Sequence, residues 1–456
     1  MTRPHLSACA VAAAIAVLPF ATVSAQPAVP IEPVPTLTVP PEFDDFYRPA
    51  AGVVAAAEPG QVLRIRSIAP ALFGFVHLNI DAWQLLYRTT DSHGRPVATV
   101  TTVLVPRGAA PEGGRNLLSY QIAQDSLPQY CAPSYLMQSG ALPANYVGGI
   151  EAFIPLAAGV GQGWTVALPD YQGPNSAFAA ARLNAQATLD GIRAVESFAP
   201  AQLSGPQTPT ALWGYSGGTV PTAFAAEIAG SYAPELNIVG VAAGGVAGGS
   251  LPEGLRHNNG GVYSGLITAA IEGLANEYPE VRRVLEENLD PLGRVMLGTK
   301  KLFCQSVNTV ILPFFDYLAH FRGDPLQHPD IQRVLADVAL GQQVPSMPVY
   351  LCHAQYDEII PNVGTDRVVQ WYREQNAPSV TYVRELVAEH ISGAITSIPG
   401  IFYWVRDRLD GIPATPGCSI SNPVSVLTEP QMLEAVLELV PVALRAVIGQ
   451  AIGADR

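Results

Sequence analysis

The chain has 456 residues, of which 48% are hydrophobic and only 14% charged, so it holds ample apolar material for one large folded domain and little sign of disorder. Its net charge of −13 argues against nucleic acid or an anionic membrane as a primary partner. Lysine occurs only at Lys300 and Lys301, so no basic patch is built from it.

Arg3 and His5 lead an apolar stretch over residues 6–18, and Val23-Ser24-Ala25 follows as a small-residue cleavage site. That is the pattern of an export signal over residues 1–25, with no transmembrane anchor left after cleavage. Of the five cysteines, Cys9 leaves with the signal. Cys131, Cys304, Cys352 and Cys418 remain, an even set that in an exported chain suggests two disulfides, with three pairings open.

Residues 26–49 are Pro-rich and predict an extended arm over the surface. Residues 83–90 and 96–105 alternate and are rich in β-branched side chains, and Asp91-Ser92-His93-Gly94-Arg95 supplies the turn between them. Short apolar strands then alternate with helix-like segments: strands at 116–123 and 163–168, a helix at 183–198, and strands at 210–213 and 237–243. This order predicts an α/β fold with a mostly parallel sheet and helices on both faces. Strand signals stop between about 246 and 345, where helical segments such as 279–289 and 330–340 predict an inserted cap. The core resumes at 347–352, with a helix near 363–375, a strand at 380–384 and a helix near 393–409. The main α/β domain is thus expected over 26–411, with residues 412–456 packing on it. In that tail Leu433, Val436, Leu437, Val440, Leu444, Val447 and Ile448 share one helical face, which Pro441 should kink.

The chemistry is concentrated in Gly214-Tyr215-Ser216-Gly217-Gly218, which lies between a strand and a helix. Such a turn displays a serine on strained backbone, and side chains on its glycines would collide with the helix beneath. It also puts the backbone N–H of Gly217 at a helix N-terminus, where negative charge can be met. A serine hydroxyl needs a base, and the base an orienting acid, in the chain order Ser, acid, His on an open parallel sheet. His390, past a late strand, is the expected base; His257, His320 and His328 fall in the cap, and His353 precedes the acid. Asp357 is the expected acid, at a strand end from which it can reach the imidazole Nδ1–H, with Glu358 and Asp366 in reserve. The second oxyanion donor belongs to the loop after strand 116–123. Asp125 is placed there, through its backbone N–H or a protonated side chain, since an ionised carboxylate cannot donate.

The segments Asp45-Phe46-Tyr47, Tyr87-Arg88-Thr89-Thr90, Ser119-Tyr120-Gln121 to Asp125-Ser126, Cys131-Ala132-Pro133-Ser134-Tyr135, Pro169-Asp170-Tyr171, the serine turn, His353 to Pro361, and Glu389-His390 are similar to those of the secretory lipase family, lipase A type. The resemblance covers most of the chain up to about residue 412. It implies an α/β-hydrolase fold with a helical cap, a Ser216–Asp357–His390 triad, and an oxyanion hole from Asp125 and Gly217. It also implies a Cys131–Cys304 bridge, leaving Cys352 to pair with Cys418, and hydrolysis of carboxylic esters including lipids. The tail beyond Cys418 departs from the family pattern.

The expected function is an exported serine ester hydrolase acting on small-molecule or lipid esters, with transient contact to a lipid surface. The rivals are an acyltransferase using the same acyl-enzyme and a secreted lipid-binding protein without chemistry. No metal or other cofactor is expected: there is no HExxH and no close cysteine pair. The stretch Gly244 to Gly249 lacks both the lysine of a phosphate loop and the acidic follow-on of a dinucleotide site.

Overall fold

Runs of β-branched and apolar residues build the sheet, and the two-residue period of a strand fixes which side chains meet which layer. The computed structural model describes residues 29–249 and 251–453; the expected signal at 1–25 lies outside the described residues. The strands are β1 (Ile31–Glu32), β2 (Val62–Ser67), β3 (Ala71–Leu72), β4 (Val76–His77), β5 (Asp81–Thr90), β6 (Pro96–Val105) and β7 (Leu117–Gln121). They continue as β8 (Thr165–Pro169), β9 (Thr210–Tyr215), β10 (Ile238–Gly244), β11 (Val349–Ala354), β12 (Ser379–Glu385) and β13 (Gly417–Ser421). One 11-stranded sheet runs β1-β2-β5-β6-β8-β7-β9-β10-β11-β12-β13, while β3 and β4 pair apart.

The long hairpin β5–β6 and its neighbours β2 and β8 form the antiparallel end. From β8 to β13 every pairing is parallel. Along β9, Leu212 enters one apolar layer while Ala211 and Trp213 enter the other. Helices Ala181–Glu196 and Thr219–Tyr232 cover the first face, and helices Ile398–Leu409 and Pro430–Val447 the second. Both faces of the central strands are therefore dry, which is why they read as apolar runs rather than as alternating ones.

Between β10 and β11 the chain forms helices Leu251–Asn258, Ser264–Glu277, Pro279–Asn288, Pro291–Gly298, Gln305–Val310 and Pro329–Asp337, with no strand of the sheet among them. The expected extended arm is only partly so. Ile31–Glu32 adds a strand at the sheet edge, and the short turns Pro41–Phe43 and Asp45–Tyr47 follow and bury Phe46. The helix expected near 393–409 is two helices, His390–Thr396 and Ile398–Leu409, broken ahead of Pro399.

The tail forms one helix, Pro430–Val447, with Pro441 inside it. Its apolar stripe from Leu433 to Ile448 points outward: Leu433, Leu437 and Ile448 are each 66–67% exposed. The face that packs on the domain carries Ala435, Leu439, Val442 and Ala446 instead. Small residues let this helix approach the segment Phe153–Ala158 closely, which a stripe of leucines would not.

Among the described residues one bridge, Cys131–Cys304, is present. The expected Cys352–Cys418 bridge is absent and both thiols are free. Cys352 stands in register with Val383 on β12, whereas Cys418 stands in register with Val380. The two cysteines are thus two strands and three residues apart, roughly 10 Å across the strands alone at ~4.8 Å per strand. The odd offset also sends their side chains to opposite faces, so no disulfide can close between them.

Candidate active site

β9 ends at Tyr215 and the chain turns at once into Ser216–Gly218 and then the helix Thr219–Tyr232. Ser216 is held at φ 51°, the left-handed region that non-glycine residues avoid. The surroundings enforce that strain. A Cβ on Gly218 would strike the Gln121 carbonyl of β7, and one on Gly217 would overlap the Asp125 carboxyl. The turn is tied further by Thr219, whose hydroxyl donates to Ser216 O and accepts from Ala247 N–H at the start of the helical insertion.

The ends of β11 and β12 bring the other two residues to the serine. His390 is the first residue of its helix, capped by Glu389 through a reciprocal bond with Ser392. Its backbone N–H donates to Glu358 Oε2 at 3.0 Å, and its carbonyl accepts from the Tyr215 hydroxyl at 2.8 Å. His390 Nε2 lies 2.8 Å from Ser216 Oγ, and His390 Nδ1 lies 2.7 Å from Asp357 Oδ2. All three side chains are buried.

Asp357 Oδ1 accepts from the backbone N–H groups of Ile359, at 3.1 Å, and Ile360, at 2.6 Å. Burial alone would raise this carboxyl, but bonding to His353 and His390 outweighs it and holds Asp357 well below the usual carboxylate range. An ionised Asp357 can only accept, so Nδ1 of His390 carries the proton and Nε2 is free to accept from the serine hydroxyl.

Asp125 sits at φ 42° in the loop after β7, packed directly over Gly217. Its Oδ2 accepts from Gln305 Nε2 at 3.0 Å, while Oδ1 is buried with no partner among the described residues. Burial pushes its carboxyl up to about 7, with the nearby His390 and its own backbone N–H acting in the opposite direction. Gln305 is set beside this loop because Cys304 is bridged to Cys131, and its N–H also donates to Ser126 Oγ.

Of the reserve acids, Glu358 touches the His390 backbone but not its imidazole, and Asp366 pairs with Arg384 and the Tyr382 hydroxyl. His257, His320 and His328 bond to Glu358 O, Asp290 and the Asp330 N–H, away from the serine. His353, set aside as the base, nonetheless lies against the acid, 3.2 Å from Asp357 Oδ2. Its place four residues before Asp357 was the signal for it. Gln305 was also missed, and its adjacency to a bridging cysteine was the signal there. Among the described residues no group of three or more His, Cys, Asp or Glu could hold a metal ion.

Beside Ser216 lies a largely apolar cavity lined by Phe178, Val220, Leu266, Ile267, Val338 and Ile360 among others. A second, apolar cavity lies within the helical insertion and shares Ile267 with the first.

With this geometry the comparisons with known proteins agree. Residues 147–417 match the family model described as secretory lipase. Lipase A of Arthroderma benhamiae is 35% identical over 425 residues, 91% of this chain and 89% of that protein. The chain belongs to the secretory lipase family. A Mycobacterium tuberculosis relative described as a "probable inactive lipase" is 37% identical over 379 residues, 82% of this chain and 84% of its own length. The crystal structure of Candida antarctica lipase A in its closed state superposes with a TM-score of 0.80 at 28% identity, covering 91% of this chain and 99% of that one. The fold is accordingly the α/β-hydrolase fold of the secretory lipases. No helix among the described residues is long and apolar enough to cross a membrane.

Proposed function

We propose that this chain is an exported serine ester hydrolase that takes lipid acyl esters through an acyl-enzyme. The observation that carries the reading is the unbroken hydrogen-bond chain Ser216–His390–Asp357 opening on an apolar cavity. One relative bears a name that marks it as inactive, but here all three side chains are present and mutually bonded, which supports turnover.

Ser216 Oγ attacks the ester carbonyl as His390 Nε2 takes its proton, and Asp357 stabilises the imidazolium. The oxyanion is met by the Gly217 N–H and by Asp125. The side chain of Asp125 serves here as the protonated form: its Oδ1 is the unpartnered oxygen, and its raised pKa keeps much of it neutral near pH 7. His390 then protonates the departing alcohol, and water activated by the same imidazole releases the acid. The apolar lining beside Ser216 suits an acyl chain, and the helical insertion over residues 246–345 serves as the cap that shields it from water.

Turnover of p-nitrophenyl esters by Ser216→Ala tests the reading. Activity should disappear with the fold intact, and a variant that keeps near-full activity would overturn it.

A further inference from the structure

His353 takes no part in the mechanism above, yet its contacts converge on the acid. It is buried at the end of β11, four residues before Asp357. On one side its Nδ1 lies 3.3 Å from the backbone N–H of Val246 and 2.8 Å from the Thr365 hydroxyl. A backbone N–H can only donate, so Nδ1 is the acceptor and the ring proton sits on Nε2. That nitrogen is 2.9 Å from Ile360 O and 3.2 Å from Asp357 Oδ2. The same residue, Ile360, supplies through its N–H one of the donors to Asp357 Oδ1. Val246 is the second residue past β10, where the chain leaves the sheet for the helical insertion.

We propose that His353 is a positioning residue for the triad: as the neutral Nε2–H tautomer it clamps the Asp357 loop and ties it to the root of the cap. This deepens the reading under Proposed function and rests on it. A neutral imidazole is suited to the task because it donates on one side and accepts on the other while its side chain is wholly buried. Without it, Asp357 Oδ2 would rely on His390 alone, and the loop that aims the carboxylate would lose its hold on Ile360. The acid would then be both less well placed and more basic, holding the imidazolium more strongly. The titratable and charged groups packed around the pair are Glu358 on the acid loop, Glu389 beside His390, Tyr215 on β9, Tyr263 from the cap and Asp125 across the serine. Against His353 itself stand Cys352 on β11, Arg384 in register on β12 with its partner Asp366, and Glu385. None of them touches the Nε2 side of His353 in its place.

The test compares His353→Phe, which removes both hydrogen-bonding atoms, with His353→Gln, whose amide N–H reaches the Nε2 position. For the folded phenylalanine variant, kcat on a p-nitrophenyl ester should fall about 10- to 100-fold with KM within about twofold, the range for a misplaced reacting group. The acid limb of kcat/KM should move to higher pH, which loss of packing alone would not cause. The glutamine variant should recover most of both. A folded His353→Phe with wild-type kcat and an unmoved acid limb overturns the proposal. Should that variant fail to fold, the wild-type protein decides. With ¹⁵N-labelled histidine, the resonance missing from His353→Gln should be the Nε2–H tautomer, and an Nδ1–H tautomer there overturns it. Ser216→Ala, measured alongside, separates the outcomes. If it is inert while His353→Phe is unimpaired, only this inference falls; if it stays active, the parent reading falls.

Discussion

Replacing Asp125 tests the oxyanion hole through its pH dependence. The working form is the protonated acid, and burial raises this carboxyl to about 7. The donor is therefore present below that pH and lost as pH rises through it, leaving roughly 1% at two units above. kcat/KM should fall about 100-fold from pH 6.5 to 9, down to the floor set by the remaining Gly217 N–H. One such donor is worth ~10²–10³ in rate. In Asp125→Asn the amide oxygen can still accept from Gln305, which leaves the amide N–H₂ in the position of Oδ1. That donor does not titrate, so the alkaline limb should flatten. Asp125→Ala should be ~10²–10³ slower already at pH 6. Initial rates on a p-nitrophenyl ester from pH 5.5 to 9, corrected for spontaneous hydrolysis, give all three profiles. An asparagine variant with the wild-type alkaline limb, or an alanine variant at wild-type rate at pH 6, would refute a side-chain donor and leave the role to the backbone N–H.

Thermal stability should be greater in mild acid. Burial raises Asp125 and Asp170 to about 7 and Glu151 to about 8. The folded state thus holds extra protons between roughly pH 4 and 8, and stability falls as pH rises through that window. Asp357 acts in the opposite sense only below the ordinary carboxylate range. Tm should be several degrees higher at pH 5 than at pH 8.5, and a Tm that is flat or rising over that span would count against these buried acids. Thiol titration of the denatured, unreduced mature protein should find Cys352 and Cys418 and no others; none would mean that they had bridged. Removing the other bridge with Cys131→Ser/Cys304→Ser opens a loop with a sequence separation of 173 residues. It should cost up to about 5 kcal/mol in the chain-entropy limit, read by denaturant unfolding. Ile267→Trp should lower the longest acyl chain accepted in a p-nitrophenyl ester series, because Ile267 lines both cavities; an unchanged profile would place the chain elsewhere.

The parallel core and the serine turn were legible because local signals agree there. Buried strands show as short apolar runs, and glycines at 217 and 218 stand where a Cβ would strike the neighbouring loop and strand. The errors came where three-dimensional parity decides. Pairing Cys352 with Cys418 by elimination ignored that one faces each side of the sheet, a fact set by register and invisible to counting. In the tail helix the expected apolar stripe does share one face, but that face is exposed, and Ala435, Leu439, Val442 and Ala446 join the buried layer instead. His353 lies in sequence where a base is not expected. Its place four residues before Asp357 was the one trace in the sequence, and the fold shows its second nitrogen meeting the acid.

The most direct test is to trap the nucleophile as a covalent phosphonyl adduct. The protein is mixed with a fluorophosphonate, digested and mapped by mass spectrometry, with residual esterase activity followed in parallel. Stoichiometric modification of Ser216, with activity lost in step, is the predicted result. Label at another residue, or full activity surviving complete modification of Ser216, would contradict the account.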